Sequence, residues 1–323
     1  MTAASALAQE VVAPDEAAVT RQFIEFLQSA TLRRHPTGVR RRFNQGRATA
    51  CVDAEFTVLD GLPAEHRIGL FAQPHTYRAV IRFANASSAS DRDRDVRGAA
   101  LRVFDVAGAN LTPGSTVQDF VLNSHPVMMV PGSREFLELL QANEAGGVRR
   151  ALYFLTHPKV LRIATASRTN PTSHLDISYW STTPYLFGPG RAVKYIIQPT
   201  IGARTSPPSS RTDDYLLQAI RTRLAAGDST FDFLVQFQTD ADRMPIEDAS
   251  AEWRREESPY VPVARVRIPK QSVDDAARAA ECEAAAFNPW NALDAHRPLG
   301  NMNRARREIY QALAAFRAAG VTA

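Results

Sequence analysis

The chain is nearly without lysine. Of its 38 basic residues only Lys159, Lys194 and Lys270 are lysines. The rest are arginine, whose planar fork suits bidentate grips on carboxylate or phosphate. Cysteine is scarcer still: Cys51 and Cys282 stand far apart, with neither a CxxC pair nor a disulfide framework, so a reducing compartment is expected. No run approaches the ~18 apolar residues of a spanning helix. The stretch Met1 to Ala13 lacks a basic start and carries Glu10, which argues against a signal peptide. A soluble cytoplasmic protein is the expectation. Charge of one sign is also lacking, since 38 basic against 34 acidic residues leave +4. Despite a pI of 9.3, that excess is a weak nucleic-acid signal. Arg40-Arg41-Arg42 has few interleaved aromatics, so no nucleic-acid partner is expected.

Familiar motifs are missing too. There is no P-loop, no dinucleotide fingerprint and no serine-hydrolase elbow. None of the seven histidines pairs at zinc-protease spacing on a helix. Asp91, Asp93 and Asp95 alternate with Arg92 and Arg94 and suggest a solvated loop rather than a metal site.

What is present is an ordinary globular composition: 323 residues, 45% hydrophobic and 22% charged. That length buries a substantial core. Asp15 to Arg34 forms an amphipathic pattern with Phe23, Ile24 and Leu27 on one stripe, broken by His35-Pro36-Thr37-Gly38. From about Val39 the period shifts towards two. Strands are expected at 51–58, 77–83, 99–105, 120–123, 126–130, 192–197, 230–237 and 261–268. Helices are expected at 133–143, 151–167, 211–226 and 272–286, and a last one near 303–319. Ser272 and Asp275 resemble a capping box. Several short strands with few helices between them suggest antiparallel pairing, as a sheet or a barrel. The expected fold is α+β: an N-terminal helical arm (1–38) and one domain (39–323), with its β core at about 39–270 and C-terminal helices at about 271–323.

One constellation carries chemistry. In the last helix Arg306, Tyr310 and Arg317 lie at −4, 0 and +7. At ~100° per residue the two arginines fall about 40° and 20° from the tyrosine. A phenol between two guanidiniums is pushed towards phenolate, an oxygen donor suited to ferric iron. The plainer alternative is a tyrosine packed on a sheet while arginines snorkel.

Arg306-Arg307-Glu308-Ile309-Tyr310 resembles the proximal motif of the haem catalase superfamily, and Arg317 matches that family's further arginine. Ile81-Arg82-Phe83 is similar to its Val-Arg-Phe strand end. Asp95-Val96-Arg97-Gly98 resembles its Asp-x-Arg-Gly segment, and Asp119 to Met129 its distal-asparagine segment. These motifs occur in the family's order, over roughly residues 40–140 and 255–320. The resemblance is closest to the small bacterial catalase-related proteins. It implies a catalase-like antiparallel β-barrel that binds haem b, ferric and tyrosinate-ligated. By that resemblance Tyr310 is the metal ligand, Arg306 holds it anionic, and Arg42, Arg82 and Arg317 bind propionates. Asn123 orients peroxide, and Met129 and Phe136 line the haem.

The departures shape the expected activity. Where the family has its distal histidine this chain has Gln45, or with a one-residue slip Asn44; where it has the supporting serine this chain has Ala84. Cleaving a peroxide needs a proton carried between its oxygens, which a histidine does near neutral pH. An amide only donates and accepts hydrogen bonds. The expectation is therefore a haem enzyme for a peroxide or organic hydroperoxide with weak hydrogen peroxide dismutation. Gln45, Asn123 and Arg306 are its candidate catalytic residues. The alternatives are a non-catalytic haem carrier, sensor or scavenger, and a barrel for an apolar ligand without haem. His125, two residues past Asn123, is a candidate substitute base if the strand continues. Ala86 and Met129, smaller or more flexible than the family's Val and Phe, leave room for a substrate larger than peroxide. The N-terminal helix leaves a homo-oligomer open.

Overall fold

The structure is a computed structural model that describes residues 6–37, 40–200, 204–206, 208 and 210–320. Met1 to Ser5, and Gly38 and Val39 at the expected break, lie outside the described residues. A helix α1 (Glu16–Arg34) leads into strands β1 (Ala48–Val58), β2 (Thr76–Asn85), β3 (Arg97–Val103) and β4 (Gln118–Asn123). Helices α2 (Ser133–Ala145), α3 (Gly147–Thr156) and α4 (Pro158–Ser167) follow. After them come β5 (Tyr179–Trp180), β6 (Tyr185–Leu186), β7 (Ala192–Pro199), α5 (Tyr215–Ala226), β8 (Ser229–Phe237) and β9 (Val261–Ile268). Helices α6 (Ala276–Ala284) and α7 (Asn301–Ala318) end the described chain.

All strand pairs are antiparallel, in the order β5-β4-β3-β2-β1-β9-β8-β7-β6. A further pairing of β5 with β7 closes eight strands into a barrel and leaves β6 appended to β7. The closure removes the exposed edges that an open sheet would carry. Along β1, Val52, Ala54, Phe56 and Val58 are buried while Asp53, Glu55 and Thr57 are not, the period-two signature of a strand with one face in the core. Inside, Phe56, Phe120, Phe233 and Tyr195 pack with ring centroids 4.8–5.0 Å apart along the chain of contacts Phe56–Phe233–Phe120–Tyr195.

The outer face of β1–β4 is covered as well. Cys51, Val80, Ala100 and Val121 form a second apolar cluster with Cys282 and Phe287, so α6 and the segment after it lie over these strands. The inward residues Ile81, Phe83, Ala99, Leu101, Phe120 and Leu122 leave Arg82, Gly98 and Asn123 on that same covered outer face. Helix α1 packs Phe23 and Leu27 against Leu137 of α2 and Ala305 and Ile309 of α7.

Several expectations are corrected. Residues 126–130 form an irregular, bent segment rather than a strand. The single helix expected at 151–167 is two, because Pro158 cannot donate within a helix and opens α4 at its first position. Asp275 is the N-cap of α6, accepting from the backbone N–H of Ala277 and Arg278, whereas Ser272 Oγ accepts from Asp274. Asp91 and Asp95 are buried, not solvated. Asp91 accepts from Asn85 Nδ2 and the Leu216 N–H, and Asp95 from the N–H groups of Ser87 and Ser88. The expected lack of a disulfide is corrected as well: Cys51 and Cys282 are bonded, with Cα atoms 6.3 Å apart. A disulfide persists in oxidising surroundings, so the cysteines no longer argue for a reducing compartment. Among the described residues no helix is long and apolar enough to cross a membrane.

Candidate functional site

Helix α7 carries the phenol. Arg306 Nη2 donates to Tyr310 Oη at 3.1 Å, the one-turn reach expected at i, i+4. The guanidinium is itself fixed: Nη1 donates to Asn303 Oδ1 at 3.1 Å. Asn303 is fully buried, and its Nδ2 donates to the carbonyls of Pro184 and Leu299 at 2.9 and 3.1 Å. Burial works to lower the Arg306 pKa, but attraction to Tyr310 and Tyr185 outweighs it and holds the group above its ordinary value. Arg306 therefore stays a cation aimed at the phenol oxygen.

Beyond Tyr310 three more guanidiniums gather. Arg82 is 2% exposed. Its Nη2 donates to the Gln45 carbonyl at 2.8 Å and to Glu283 Oε2 at 3.3 Å, while its buried Nε has no partner among the described residues. Arg42 donates to Glu283 Oε1, and to the Glu283 and Ala285 carbonyls at 2.8 Å each. Burial pulls the Arg82 pKa down to about 10, helped by repulsion from Arg42 and Arg317 and opposed by Glu283. Burial and repulsion from Arg42 also lower Arg317, again against Glu283. Three cations thus share one carboxylate. A partly buried cluster short of negative charge, with an orphaned N–H donor, is suited to binding further anions.

The two candidate amides meet. Gln45 Nε2 donates to Asn123 Oδ1 at 3.3 Å. Gln45 sits at φ 54°, in the left-handed region uncommon for a residue with a side chain. It is held there by its N–H on the Ala86 carbonyl at 2.7 Å and by Arg82 on its own carbonyl. Its amide lies flat on Gly98, where a Cβ would fall 2.6 Å from Gln45 Cδ and 2.8 Å from Oε1. Gly98 pairs with Asn123 across β3 and β4, so the missing side chain makes the space in which the two amides join. Asn44 is exposed; Gln45, not the slipped residue, faces Asn123. His125 lies in a bend beyond the end of β4, so the continued strand that would have set it beside Asn123 is absent. Burial lowers its pKa, against Glu252.

Apolar side chains complete the surroundings. Tyr310, Phe43, Phe136, Leu140 and Leu313 pack half-buried against the α1–α2–α7 cluster. Met129, with Phe136 again, packs on the cluster around Val130 and Met302. Two surface clefts lie elsewhere. One of about 860 Å³ includes Phe26, Glu138 and Tyr153; the other, of about 470 Å³, includes Gln198 and Thr230. Tyr310, Arg42, Arg82 and Asn123 line neither. Among the described residues no group of three or more His, Cys, Asp or Glu could hold a metal ion. A metal here would rest on the phenol.

Other residues also build this arrangement. Glu283 carries no local signal, since it meets Arg42 across 241 positions of chain; Asn303 lies three residues before Arg306 on α7, and that spacing is the signal that could have found it. Arg97 was seen only as part of a motif. It is fully buried and bonds Asn85, the Asp93 and Thr169 carbonyls and Asn170. With Asp95 it fixes the 85–95 loop, whose Ala86 anchors Gln45.

Solved structures share this architecture. They include a fungal catalase (16% identity, TM-score 0.70), a bacterial catalase (15%, 0.69) and catalase A from Saccharomyces cerevisiae (16%, 0.68), each covering 98% of the chain. The chain spans 66%, 63% and 68% of their respective lengths, about two thirds. The sequence itself matches no protein-family model and no curated protein. At such identity the likeness is one of fold, and the fold is catalase-like.

Proposed function

We propose that this chain binds haem through Tyr310 and acts on a peroxide or organic hydroperoxide, with weak hydrogen peroxide dismutation. One observation carries the reading: the Arg306–Tyr310 hydrogen bond, on a chain whose buried Arg82 shares the single carboxylate of Glu283 with Arg42. The residues present fit a dicarboxylate porphyrin. The phenol oxygen is a hard donor and accepts a hydrogen bond from the Arg306 guanidinium. The orphaned Nε of buried Arg82 calls for a carboxylate partner. Phe43, Met129, Phe136 and Leu313 supply half-buried apolar surface. When bound, ferric haem supplies the Lewis-acidic, redox-active centre.

The chain's own residues do the rest. Arg42, Arg82 and Arg317 would grip the propionates. Asn123 would donate an amide N–H to a substrate oxygen, its own carbonyl being held by Gln45. Gln45 offers hydrogen bonds but no titrating proton. Loss of general acid–base help typically costs about 10²–10⁴-fold, hence the weak dismutation. The proton that must move between peroxide oxygens then has to travel by water or by the substrate itself.

A second reading, a haem carrier, sensor or scavenger without turnover, is favoured by the same amide pair, whose members partly satisfy each other. The test is purification with haem supplied, followed by absorption spectra of wild type and Tyr310→Phe. Wild type is expected to retain haem and the variant to lose it; full retention by the variant overturns the proposal. Inertness of haem-loaded protein towards organic hydroperoxides would favour the second reading.

A further inference from the structure

The arginines that fit propionates already hold a carboxylate of this chain. Glu283 lies at the C-terminal end of α6, bonded to both Arg42 and Arg82. Arg42 is tied to the same helix end by the Glu283 and Ala285 carbonyls. The residue before Glu283 is Cys282, crosslinked to Cys51. Cys51 stands directly opposite Arg82 in the β1–β2 register, so crosslink and arginine share one face of the sheet. A single covalent bond therefore fixes the carboxylate over the arginine pair.

We propose that Glu283, held down by the Cys51–Cys282 crosslink, is an internal occupant of the Arg42–Arg82 carboxylate site, and that opening the crosslink frees the site for an incoming dicarboxylate. That the incoming ligand is haem rests on the function proposed above.

Besides the crosslink, the end of α6 is held by Arg42 on the Glu283 and Ala285 carbonyls and by Arg102 on the Ala286 carbonyl. Apart from Cys282 no residue of the helix is buried. The side-chain ties of Arg278 to Asp53 and Arg221 to Asp274 secure its beginning. Opening the crosslink takes two electrons and two protons from a dithiol reductant. The sulfur–sulfur bond breaks, Cys51 and Cys282 each become a thiol, and the two sulfurs of the reductant join in a disulfide. The Glu283 carboxylate is then held by its ion pairs, with Arg42 still on the Glu283 and Ala285 carbonyls; its side chain is 47% exposed, so water and a competing carboxylate can displace it. While the crosslink is closed Glu283 rebinds as an intramolecular competitor at high effective concentration.

The test is a haem titration of the apo-protein, followed by absorption, in oxidised and dithiol-reduced states, with thiols counted to verify each. The variants are Glu283→Gln and the double variant Cys51→Ala/Cys282→Ala. Reduction is expected to tighten haem binding about tenfold. The double variant should bind as the reduced protein does whatever the redox state. Glu283→Gln should bind tightly in both states, because its amide no longer competes as an anion. Equal affinity in oxidised, reduced and Glu283→Gln protein overturns the proposal. If no form binds haem, the functional reading fails, and the latch is judged by hydrogen exchange across residues 276–284 of the apo-protein. Faster exchange on reduction supports it; unchanged exchange overturns it.

Discussion

Gly98→Ala separates the candidate site from the fold. Gly98 is buried within β3 and is not among the glycines at positive φ, so alanine meets no backbone penalty. By narrowing the unfolded ensemble it should contribute about 0.4–1 kcal/mol of stability. The new Cβ would fall 2.6 Å from Gln45 Cδ and closer still to Nε2, against the 3.4 Å of ordinary contact, so the amide must retreat by more than about 0.8 Å. It is the far end of a flexible side chain, and it can move without disturbing the barrel. Its bond to Asn123, already 3.3 Å long, cannot survive that shift. A neutral hydrogen bond contributes about 0.5–1.5 kcal/mol, which corresponds to about a 2- to 13-fold loss for a ligand that depends on the orientation of Asn123. Haem-loaded Gly98→Ala should therefore show kcat/KM for an organic hydroperoxide lowered by that factor, with a melting temperature unchanged or slightly raised. Unchanged kinetics in a folded variant would remove Gln45 from the site. A marked fall in melting temperature would mean that its side chain is not free to move, and the reasoning would fail.

Three other outcomes follow from particular side chains. Gln45→His with Ala84→Ser, which restores a titrating group and its hydroxyl support, should raise oxygen evolution from hydrogen peroxide by up to about 10²-fold; no gain in a haem-loaded variant would mean the pocket around Gly98 does not seat an imidazole. Asp119 is fully buried and grips Arg102 with both oxygens at 2.7 Å while accepting from Asn288 N–H and Asn291 Nδ2; Asp119→Ala should cost about 3–5 kcal/mol, read as a lower urea midpoint with unchanged m-value. Lys194, buried under Trp253 and donating to the Ala251 carbonyl at 3.0 Å, has its pKa pulled by burial to about 7, against Asp248 and Glu252. Between about pH 7 and 10.5 the unfolded chain then holds the proton that the folded chain has released, so stability rises with pH across that window; Lys194→Met should abolish the rise, and an identical slope in the variant would refute the assignment.

What the sequence disclosed and what it withheld divide along physical lines. Strands β1, β2, β7, β8 and β9 were legible because each is long, rich in β-branched or aromatic residues, and bounded by turns. Strands β5 and β6 are two residues each, too short for any period to register, yet β5 closes the barrel. Tyr310, Arg306 and Arg317 were legible because a helix converts spacing into a shared face. Contacts between distant segments leave no such trace. Arg42 meets Glu283 across 241 positions, and Cys51 meets Cys282 across 231; only the fold brings α6 over the outer face of β1. The choice between Gln45 and Asn44 was likewise undecidable from spacing, because a left-handed residue interrupts any regular register. Gly98, on another strand, leaves room for the Gln45 amide beside Asn123, while Asn44 is exposed.

That same glycine bears on why the chain keeps amides where a base would serve peroxide cleavage better. Gln45 and Asn123 hold each other through a bond that no pH change within the stable range can break, because neither group titrates. A histidine in the same place would alternate between one and two donors as it gained and lost a proton, near the Arg82 guanidinium, which disfavours its charged form. On the proposed function the amide pair would give up proton transfer for an orientation of Asn123 that is constant with pH. A substrate that depends on being positioned loses little by that exchange, whereas one that depends on a carried proton loses most of its rate. The ratio of organic hydroperoxide consumption to oxygen evolution should accordingly stay level between pH 6 and 8 in wild type and bend through that range in Gln45→His. A bend already present in wild type would point to a titrating group other than these amides, with His125 the first to replace.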